Sequence, residues 1–495
     1  MAEPYKIVVG LEVHVQLLTK TKLFCGCLNK FGQAPNTATC PVCLGMPGSL
    51  PVMNRTAFQL ALRAALALNC QIAGFTKWDR KNYYYPDLPK NYQISQYDLP
   101  FSHDGWLDIN VHPDPKKGHT AKRIGIIRAH LEEDAGKSMH DETGRGGNSL
   151  VDLNRTGTPL LEIVSHPDMN TPEEAIAYLE EVRLMLRELG VSDCEMQEGS
   201  LRCDANVNIH IPKADEPNGY AATPLVEVKN LNSFRAVGRA IKYEAERHHE
   251  EYQKHPADFV FGKLLKTTAG WDDAKGRTEV QRHKESAADY RYFPEPDLVP
   301  VVVTPVEVEA VRAAMGELPS AQRTRLQSQY SLSQYDAEVL AAKGRTMVAY
   351  FEAVAAGLGD GKAASNRLSD LVFPALTERH EEITEFPLKA AAFADFVKKT
   401  AALPKQDRLT VFKIVLEENV DVETAKGKAG IKEVDESTLR EAVAKAVAAN
   451  PKAVADFKSG KDAAKMSIVG AVMKANKGAP NDVVRRLVDE ELARV

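Results

Sequence analysis

The sequence lacks the features that would place a chain in or across a membrane. Its 495 residues include only seven cysteines and no stretch of eighteen consecutive apolar residues. The first segment, MAEPYKIVVGLEVHVQL, has no basic stretch followed by an apolar core and a cleavage site. Secreted and membrane proteins depend on such features. We therefore expect a soluble, unprocessed, cytoplasmic protein that works without a membrane.

Common nucleotide-binding and nucleophile motifs are also missing. The chain contains no Walker loop G-x-x-x-x-G-K-[ST], no G-x-G-x-x-G after a strand and no G-x-S-x-G elbow. Any ATP site must therefore be unusual, and no side chain is marked as a nucleophile. The formal net charge of -5 argues against a general polyanion-binding coat. A local basic patch on an acidic chain can still hold a structured nucleic acid.

Four of the cysteines are concentrated in one short segment, FCGCLNKFGQAPNTATCPVCLG. They are Cys25, Cys27, Cys40 and Cys43, which fall within nineteen residues as C-x-C-x12-C-x-x-C. Two knuckles with this spacing predict a tetrahedral Zn²⁺ site, and a closed four-thiolate site leaves no position for catalysis. We expect a structural zinc loop. Four unrelated cysteines, or two disulfides, are the alternative.

Alternating apolar residues dominate the first 300 residues. Every odd position from Ile7 to Leu17 is apolar, and the alternation returns from Ala205 to Ile211. Period two is typical of half-buried strands. A helix is expected after Thr171-Pro172-Glu173-Glu174, which combines a cap, a first-turn proline and a capping-box acid. The pattern predicts an α+β fold with a large, mostly antiparallel sheet cradle and packed helices.

A proline-dense stretch, YFPEPDLVPVVVTP, marks a boundary because such a sequence cannot lie in a central strand or a helix interior. The residues beyond it are alanine-rich and helical in pattern. We predict a catalytic cradle domain over residues 1–300 with the zinc loop at 25–43, a helical domain over 306–403, and an all-α tail domain over 404–495. The tail is locally basic, which predicts either a solvated lysine face or a binding surface.

A polar face on the first predicted strand is the main candidate for chemistry. Glu12 and His14 are two residues apart, so their side chains share one side of the strand. The segments GIIRAHLEEDAGKSMH and VDLNRTGTPLLEIVSHPD add Glu133 and Glu162. Mg²⁺ binds carboxylate oxygens, tolerates an imidazole and bridges nucleotide phosphates. This set of residues would therefore suit phosphoryl transfer.

Glu162 needs a partner because apolar residues flank it on both sides. An unpaired buried charge costs several kcal/mol. A hard cation would satisfy it. Ion pairing with Lys137 or Arg155 is the alternative, in which case the acidic residues are structural.

The segment DRKNYYYPDLPKNYQISQYD places several tyrosines among basic residues, including Tyr83, Tyr84 and Tyr85 beside Lys81. Such a stretch could stack bases or line a polar cavity. Core tyrosines with hydrogen-bonded hydroxyls are the alternative.

Taken in order, the motifs resemble one family. They are GLEVHVQL, CGC…CPVCLG…PGSLPVMN, DRKNYYYPDLPKNYQISQYD, HLEEDAGKSMH, SLVDLNRTGTPLLEIVS, EGSLRCDANVNI, EVKNLNSFRAVGRAI and DYRYFPEPDLVP. The chain resembles the B subunit of the glutamine-dependent aspartyl/glutamyl-tRNA amidotransferases, the GatB family. The resemblance covers the first 300 residues and continues more weakly to the tail motif GKDAAKMSIVGAVMKANKGAPNDVVRRLVDEEL.

The resemblance implies an ATP-dependent ligase that forms a carbon–nitrogen bond. The family's B subunit phosphorylates the side-chain carboxylate of Glu-tRNA(Gln) or Asp-tRNA(Asn). Ammonia released from glutamine by the amidase (glutaminase), or A, subunit then passes through a channel and displaces phosphate. The small C subunit completes the heterotrimer. The implied cofactors are Mg²⁺, ATP as substrate and structural Zn²⁺. A non-catalytic zinc-containing tRNA-binding protein and a metal-dependent hydrolase working alone are the alternatives.

The resemblance also implies roles for individual residues. The magnesium-bearing catalytic site corresponds to Glu12, His14, Glu132 or Glu133, and Glu162, with Glu133 weakly preferred over Glu132. Contacts to substrate or ATP are expected from Lys137, Arg202, Lys229, Asn230 and Asn232. The channel mouth corresponds to Lys81, Tyr83 and Tyr85. The residues expected to bind tRNA are Lys461, Lys465, Lys474 and Lys477.

Overall fold

The computed structural model describes residues 4–111, 120–140, 149–216, 218–258, 266–283, 290–431, 436–459, 461–476, 479 and 481–494. The chain divides into two compact units, Met1–Pro319 and Ser320–Val495. Among the described residues, no helix is both long enough and apolar enough to cross a membrane.

The first unit contains most of the strands and is built around one large sheet. Its strands are β1 (Lys6–Gln16), β2 (Gln71–Ile72), β3 (Phe75–Thr76), β4 (Asp79–Asn82), β5 (Tyr92–Ser95), β6 (Ser102–Val111), β7 (Thr120–Glu133), β8 (Lys137–His140), β9 (Ser149–Asp152), β10 (Pro159–Ser165), β11 (Leu201–Pro212), β12 (Tyr220–Ala222), β13 (Val226–Lys229), β14 (Thr267–Asp272), β15 (Arg277–His283), β16 (Phe293–Pro294) and β17 (Val301–Val302). Its helices are α1 (Arg55–Ala67), α2 (Pro172–Glu188), α3 (Phe234–Lys254) and α4 (Pro305–Ala314).

The large sheet has ten strands in the order β15-β14-β13-β11-β1-β10-β7-β6-β2, with β12 paired to β11. The β13–β14 pair is parallel. The other neighbours in this sheet are antiparallel. The predicted α+β fold with a large, mostly antiparallel sheet is confirmed. The strand with the clearest alternation, β1, lies between β11 and β10 near the middle.

One face of this sheet is the apolar core. Val9, Leu11, Val13 and Val15 of β1 are fully buried on it. Helix α2 packs against β6, and α3 packs against β11. Burying one such aliphatic side chain contributes about 1.5–3 kcal/mol. The helix begins as predicted, because Thr171 caps α2 by accepting a hydrogen bond from the Glu174 backbone N–H.

The other face of the sheet is polar and is partly covered by a smaller sheet. Strands β16, β4 and β5 form this three-stranded sheet, and β5 packs against β7. A two-pronged ion pair fixes β16 on β4, with Arg80 Nε 2.7 Å from Glu295 Oε2 and Nη2 2.8 Å from Oε1. The chain segment around residue 292 is thereby brought over the polar face.

Every described element of the second unit is helical. Its helices are α5 (Pro319–Tyr330), α6 (Gln334–Ala341), α7 (Arg345–Leu358), α8 (Gly361–Arg367), α9 (Phe373–Arg379), α10 (Ala390–Lys399), α11 (Lys405–Glu418), α12 (Val422–Lys428), α13 (Glu436–Ala449), α14 (Pro451–Lys458), α15 (Lys465–Ala475) and α16 (Asn481–Leu492). A π-helical turn, Leu368–Val372, joins α8 to α9. The buried apolar residues form two clusters, one from Leu326 to Ala425 and one from Leu439 to Leu492.

Candidate functional site

Strand register gathers the candidate residues on the polar face. His14 of β1 lies opposite Glu162 of β10, and Glu162 lies opposite His130 of β7. Glu132 is two residues beyond His130, so its side chain shares the same side of β7. Four polar side chains from three adjacent strands therefore converge, although they span about 150 residues of sequence.

The first group is the histidine–carboxylate cluster, formed by His14, Glu132 and Glu162. His14 Nε2 lies 3.7 Å from Glu162 Oε2 and 3.9 Å from Glu132 Oε1. One ligand atom from each residue lies within 4.8 Å of the other two. Carboxylate oxygens with one imidazole suit Mg²⁺ or Mn²⁺. The structure thus brings together three residues that the sequence had suggested as a cation site.

Glu162 is held in its charged form. Burial by itself raises the pKa of this carboxyl, but the contact with His130, the neighbouring His14 and the ammonium of Lys81 outweigh burial. Its pKa lies well below the ordinary value. The predicted alternative, pairing with Lys137 or Arg155, is not what the structure shows, because histidines are the close partners of Glu162.

A second group, the three-carboxylate cluster, adjoins the first. It consists of Glu12, Asp204 and Glu227, whose ligand oxygens also lie within 4.8 Å of one another. Burial, followed by the negative charge of Glu162, raises the pKa of Glu12. Lys229 balances this charge, with Nζ 2.6 Å from Asp204 Oδ2 and 2.9 Å from Glu227 Oε1. Glu12 is therefore beside the histidine–carboxylate cluster rather than in it.

Glu133 points away from both clusters. Its Oε1 accepts a hydrogen bond of 2.9 Å from the Ile94 backbone N–H and forms a buried ion pair with Lys90. Adjacent residues in a strand point to opposite faces. The structure therefore places Glu132, rather than the weakly preferred Glu133, beside His14 and Glu162.

Arg202 is engaged by a neighbouring carboxylate. Its Nη2 lies 2.9 Å from Asp134 Oδ2, which also accepts a 2.9 Å hydrogen bond from Gln16 Nε2. Arg155 Nε lies 3.6 Å from the same oxygen. Burial would raise the pKa of Asp134, but Arg202 and Arg155 hold it below the ordinary value. Arg202 therefore belongs to a polar network around Asp134 that also includes Gln16 and Arg155.

The remaining expected substrate contacts are less closely tied to the clusters. Lys137 lies in β8 opposite Asp152 of β9. Asn230 directly follows β13, has a positive φ of 63° and lines a cavity of about 460 Å³ with Gly270 and Gln281. Asn232 is exposed on the surface. Of this predicted set, Lys229 is the residue with described contacts to cluster carboxylates, Asp204 and Glu227.

Lys81 occupies an aromatic box that faces the histidine–carboxylate cluster. Its Nζ lies 5.1 Å from the ring centre of Tyr290 and 5.9 Å from that of Tyr83. Burial alone lowers the pKa of Lys81, but Glu132, Tyr292 and Glu162 raise it above the ordinary value. The Tyr83 hydroxyl donates to Gln93 Oε1 over 3.3 Å.

Two tyrosines of this box were missed by sequence reasoning. Tyr290 and Tyr292 come from the motif DYRYFP, which pairing of β16 with β4 brings over the site. The Tyr292 ring stacks on Tyr97 with centres 4.1 Å apart. Tyr85 contacts the edge of Tyr83, with ring centres 5.9 Å apart, and is exposed. A motif noted only for resemblance thus supplies part of the aromatic box.

The four cysteines also meet in space. One sulfur from each of Cys25, Cys27, Cys40 and Cys43 lies within 4.8 Å of the others, and all are free of disulfides. The hydrogen bond from Cys25 is the main cause that lowers the pKa of Cys43 to about 5. Lys22 is 0 % exposed, donates to the Ala38 carbonyl over 2.7 Å and lies 3.7 Å from Cys43 Sγ. This four-cysteine cluster could hold a metal ion.

A cavity of about 290 Å³ is lined by Cys25 and Cys43 of the four-cysteine cluster and by Arg80, Lys90 and Glu133. The four-cysteine cluster and the ion pair of Lys90 and Glu133 therefore border the same cavity.

Two of the tail lysines expected to bind tRNA form ion pairs with aspartates. Lys461 Nζ lies 3.0 Å from Asp456 Oδ1, and Lys465 Nζ lies 2.9 Å from Asp489 Oδ1. Lys474 lies in the last turn of α15, and Lys477 falls outside the described residues. Exposed ion pairs of this kind contribute only about 0.2–1 kcal/mol, so both lysines can exchange an aspartate for another anion.

Comparison with known proteins gives two family matches. Residues 7–309 match the GatB/GatE catalytic domain, and residues 349–492 match the GatB domain. The B subunit of the aspartyl/glutamyl-tRNA(Asn/Gln) amidotransferase of Rhodopirellula baltica is 48% identical over 494 residues, which cover 99% of this chain and 98% of that protein. The protein of the same name from Thermoanaerobacter sp. (strain X514) is 45% identical over 494 residues, covering 99% and 100% of the two chains. That from Carboxydothermus hydrogenoformans is 44% identical over 501 residues, covering 99% of each.

Proposed function

The chain belongs to the GatB family, and we propose that it activates the side-chain carboxylate of Glu-tRNA(Gln), Asp-tRNA(Asn) or both with ATP for amidation. The chemical need is plain, because a carboxylate is a poor electrophile until one oxygen becomes a leaving group. The observation that carries the proposal is the histidine–carboxylate cluster, placed by strand register beside the three-carboxylate cluster.

The proposed reaction has two balanced steps. A carboxylate oxygen of the attached amino acid attacks the γ-phosphorus of ATP, and the bond to the β–γ bridging oxygen breaks to release ADP. Ammonia then attacks the carbonyl carbon of the acyl phosphate. Phosphate leaves with the former carboxylate oxygen, a proton is lost from nitrogen, and the amide remains. In-line phosphoryl transfer of this kind relies on positioning and charge stabilisation.

The donor sets fit hard divalent cations. His14, Glu132 and Glu162 would hold one, and Glu12 with Asp204 and Glu227 would hold another. When bound, Mg²⁺ neutralises the charge of the transferring phosphoryl group. Lys229 already balances the three-carboxylate cluster and would orient phosphate oxygens from its side.

In this scheme Lys81 borders the histidine–carboxylate cluster, and Lys229 lies on the other side, at the three-carboxylate cluster. Its ammonium would hold the incoming carboxylate near the phosphoryl group, while Tyr83, Tyr290 and Tyr292 exclude bulk water. A neutral ammonia molecule needs hydrogen-bonding groups along its route, and the hydroxyl-lined box beside Lys81 offers them. We therefore infer that ammonia enters through a channel mouth lined by Lys81, Tyr83 and Tyr85.

The four-cysteine cluster fits a structural Zn²⁺. Four thiolate ligands close the tetrahedron, so the metal would hold the loop and take no part in the chemistry. The buried ammonium of Lys22 beside Cys43 supports this assignment, because a dianionic zinc–thiolate centre would balance its charge.

The proposed partners follow from the family. The name "B subunit" carried by the relatives implies further subunits, which we take to be the amidase, or A, subunit and the small C subunit of a cytoplasmic heterotrimer. The helical domain and the tail, which we place at residues 306–403 and 404–495, would bind tRNA. Lys461, Lys465 and Lys474 are the described lysines that would contact its phosphates.

The test is amidation of glutamyl-tRNA(Gln) and aspartyl-tRNA(Asn) by the assembled complex with Mg²⁺, ATP and glutamine, comparing wild type with His14→Ala. Amide should form only with ATP and should be lost in the variant, while glutamine hydrolysis persists. Equal amidation by both proteins would make the cluster structural and leave a tRNA-binding role. ATP hydrolysis that proceeds equally well without tRNA would favour a hydrolase instead.

A further inference from the structure

Two imidazoles approach the same oxygen of Glu162. His130 Nε2 lies 3.2 Å from Glu162 Oε2, and His14 Nε2 lies 3.7 Å from it. The first distance is that of an N–H···O hydrogen bond, and the second is too long for one. The two histidines therefore contact this carboxylate in different ways.

His14 belongs to the set of side chains that could share one cation. An octahedral ion with ligands at about 2.0–2.1 Å holds neighbouring ligand atoms about 3 Å apart and opposite ones about 4 Å apart. His14 Nε2 lies 3.7 and 3.9 Å from oxygens of Glu162 and Glu132, between those two values, and His130 Nε2 spans a similar range at 3.2 and 4.0 Å. The set of atoms that fits within 4.8 Å contains His14 and not His130.

His130 lies nearer to Glu162 than to Glu132. It is 2 % exposed, lies directly across from Glu162 in the β7–β10 register, and its Nε2 is 4.0 Å from Glu132 Oε2. Among the described residues its buried Nδ1 has no hydrogen-bond partner. Within that same part of the chain, the shortest polar contact of this ring is therefore the 3.2 Å approach of its Nε2 to Glu162 Oε2.

The other carboxylates of the site show the same arrangement. Ser95 Oγ donates to Glu132 Oε2 over 3.3 Å, and Asn206 Nδ2 donates to Glu12 Oε1 over 2.8 Å. A carboxylate oxygen has two lone pairs. A donor that occupies one of them fixes the direction of the other, and such outer donors commonly control metal affinity.

We propose that His130 is a positioning residue, which donates Nε2–H to Glu162 Oε2 and so directs the other lone pair of that oxygen toward the cation held with His14 and Glu132. This rests on the proposed function, because it presumes a divalent cation in the histidine–carboxylate cluster. His130 neither ligates the cation nor touches the substrate.

The test uses Mn²⁺ as the probe on the assembled complex, without tRNA or nucleotide. Electron paramagnetic resonance gives the Mn²⁺ affinity, and electron spin-echo modulation counts the directly bound ¹⁴N nuclei. Wild type should show one bound nitrogen. His130→Ala should retain that nitrogen while its Mn²⁺ affinity falls about 10–100-fold. Mn²⁺ held by the three carboxylates adds no ¹⁴N signal.

His130→Gln keeps a side-chain donor and should recover most of the affinity, which a merely structural role would not predict. His103→Gln is the matched control, because His103 is partly exposed on β6 and its ring pairs with Asp104, which belongs to neither cluster. It should bind Mn²⁺ as wild type does. Thermal unfolding of each variant separates loss of affinity from loss of fold.

The outcomes separate the two proposals. Two bound nitrogens in wild type and one in His130→Ala would make His130 a ligand and overturn the positioning role, as would wild-type affinity in His130→Ala. His14→Gln should lose the nitrogen signal. If it instead retains both signal and affinity, the cation site of the proposed function is itself wrong.

Discussion

The four-cysteine cluster and the histidine–carboxylate cluster gather ligands in opposite ways. The cysteines come from nineteen consecutive residues of loop, whereas His14, Glu132 and Glu162 come from three strands. The loop has little secondary structure of its own, so we expect its shape to depend on the proposed metal. The strands are fixed by a sheet with a fully buried apolar face. Removing a cysteine should therefore unfold the loop locally. Removing a residue of the histidine–carboxylate cluster should weaken cation binding and leave the sheet folded.

The largest expected effect lies in the sheet. Glu162→Gln keeps the size of the side chain and removes the charge that would hold the cation. We expect ATP-dependent amidation to fall at least 100-fold, an extent consistent with lost metal affinity and lost transition-state charge stabilisation together. Zinc content and the unfolding temperature should stay near those of wild type. Amidation above a tenth of the wild-type rate would show that Glu162 is not a cation ligand.

The reverse pattern is expected in the loop. Cys40→Ser should abolish stoichiometric zinc, measured by elemental analysis, and lower the unfolding temperature, because zinc binding energy is folding energy for such loops. Mn²⁺ affinity at the histidine–carboxylate cluster should fall less than in Glu162→Gln, since the strands do not depend on zinc. Loss of Mn²⁺ binding as complete as in Glu162→Gln would break the distinction between the two regions.

The two regions also differ in how far sequence could predict them. The cysteine spacing is local, so Cys25, Cys27, Cys40 and Cys43 were identified together. Period two placed Glu12 and His14 on one side of a strand. Asp204 and Glu227 were missed, although Asp204 begins the alternating stretch from Asp204 to Ile211. Their importance depends on β11 and β13 lying beside β1, which no local pattern records.

The choice between Glu132 and Glu133 could not be made from the sequence for a related reason. Strand β7 has consecutive apolar residues, Ile126 and Ile127, and its last five residues are all buried. The alternation that would assign Glu132 and Glu133 to opposite faces is therefore lost at the point where it matters. Only the pairing of β7 with β10 shows which face each occupies. The sequence supplied the candidates, and long-range register decided among them.

A smaller effect is expected from Lys22. Lys22→Met removes a fully buried ammonium that lies 3.7 Å from Cys43 Sγ. An outer contact of this kind typically changes metal affinity about 10–100-fold. Zinc should therefore transfer faster to a chelator whose zinc complex is coloured, and its absorbance measures the rate. Lys20→Met is the matched control, because Lys20 is exposed. Equal zinc retention in both variants would show that the ammonium does not support the thiolates.

The smallest expected effect tests the contact between the regions. Gly45 and Gly48 lie just after the zinc loop and have positive φ, 67° and 82°. Alanine at either position bears a left-handed backbone cost of about 1–2 kcal/mol. A methyl group on Gly45 would also collide with Cγ of Lys90, the partner of Glu133, whereas nothing lies within 4 Å of one on Gly48.

Chemical denaturation should therefore show Gly45→Ala to be less stable than Gly48→Ala by about 1–3 kcal/mol, because Lys90 must leave its place beside a buried carboxylate. The shared backbone cost cancels in this comparison, so the difference reports the collision alone. Equal stabilities would mean that Lys90 can move without disturbing Glu133, and that the loop and the sheet fold independently. A difference in the expected range would mean that the segment just after the zinc loop keeps Lys90 against Glu133, one residue from the proposed cation ligand Glu132.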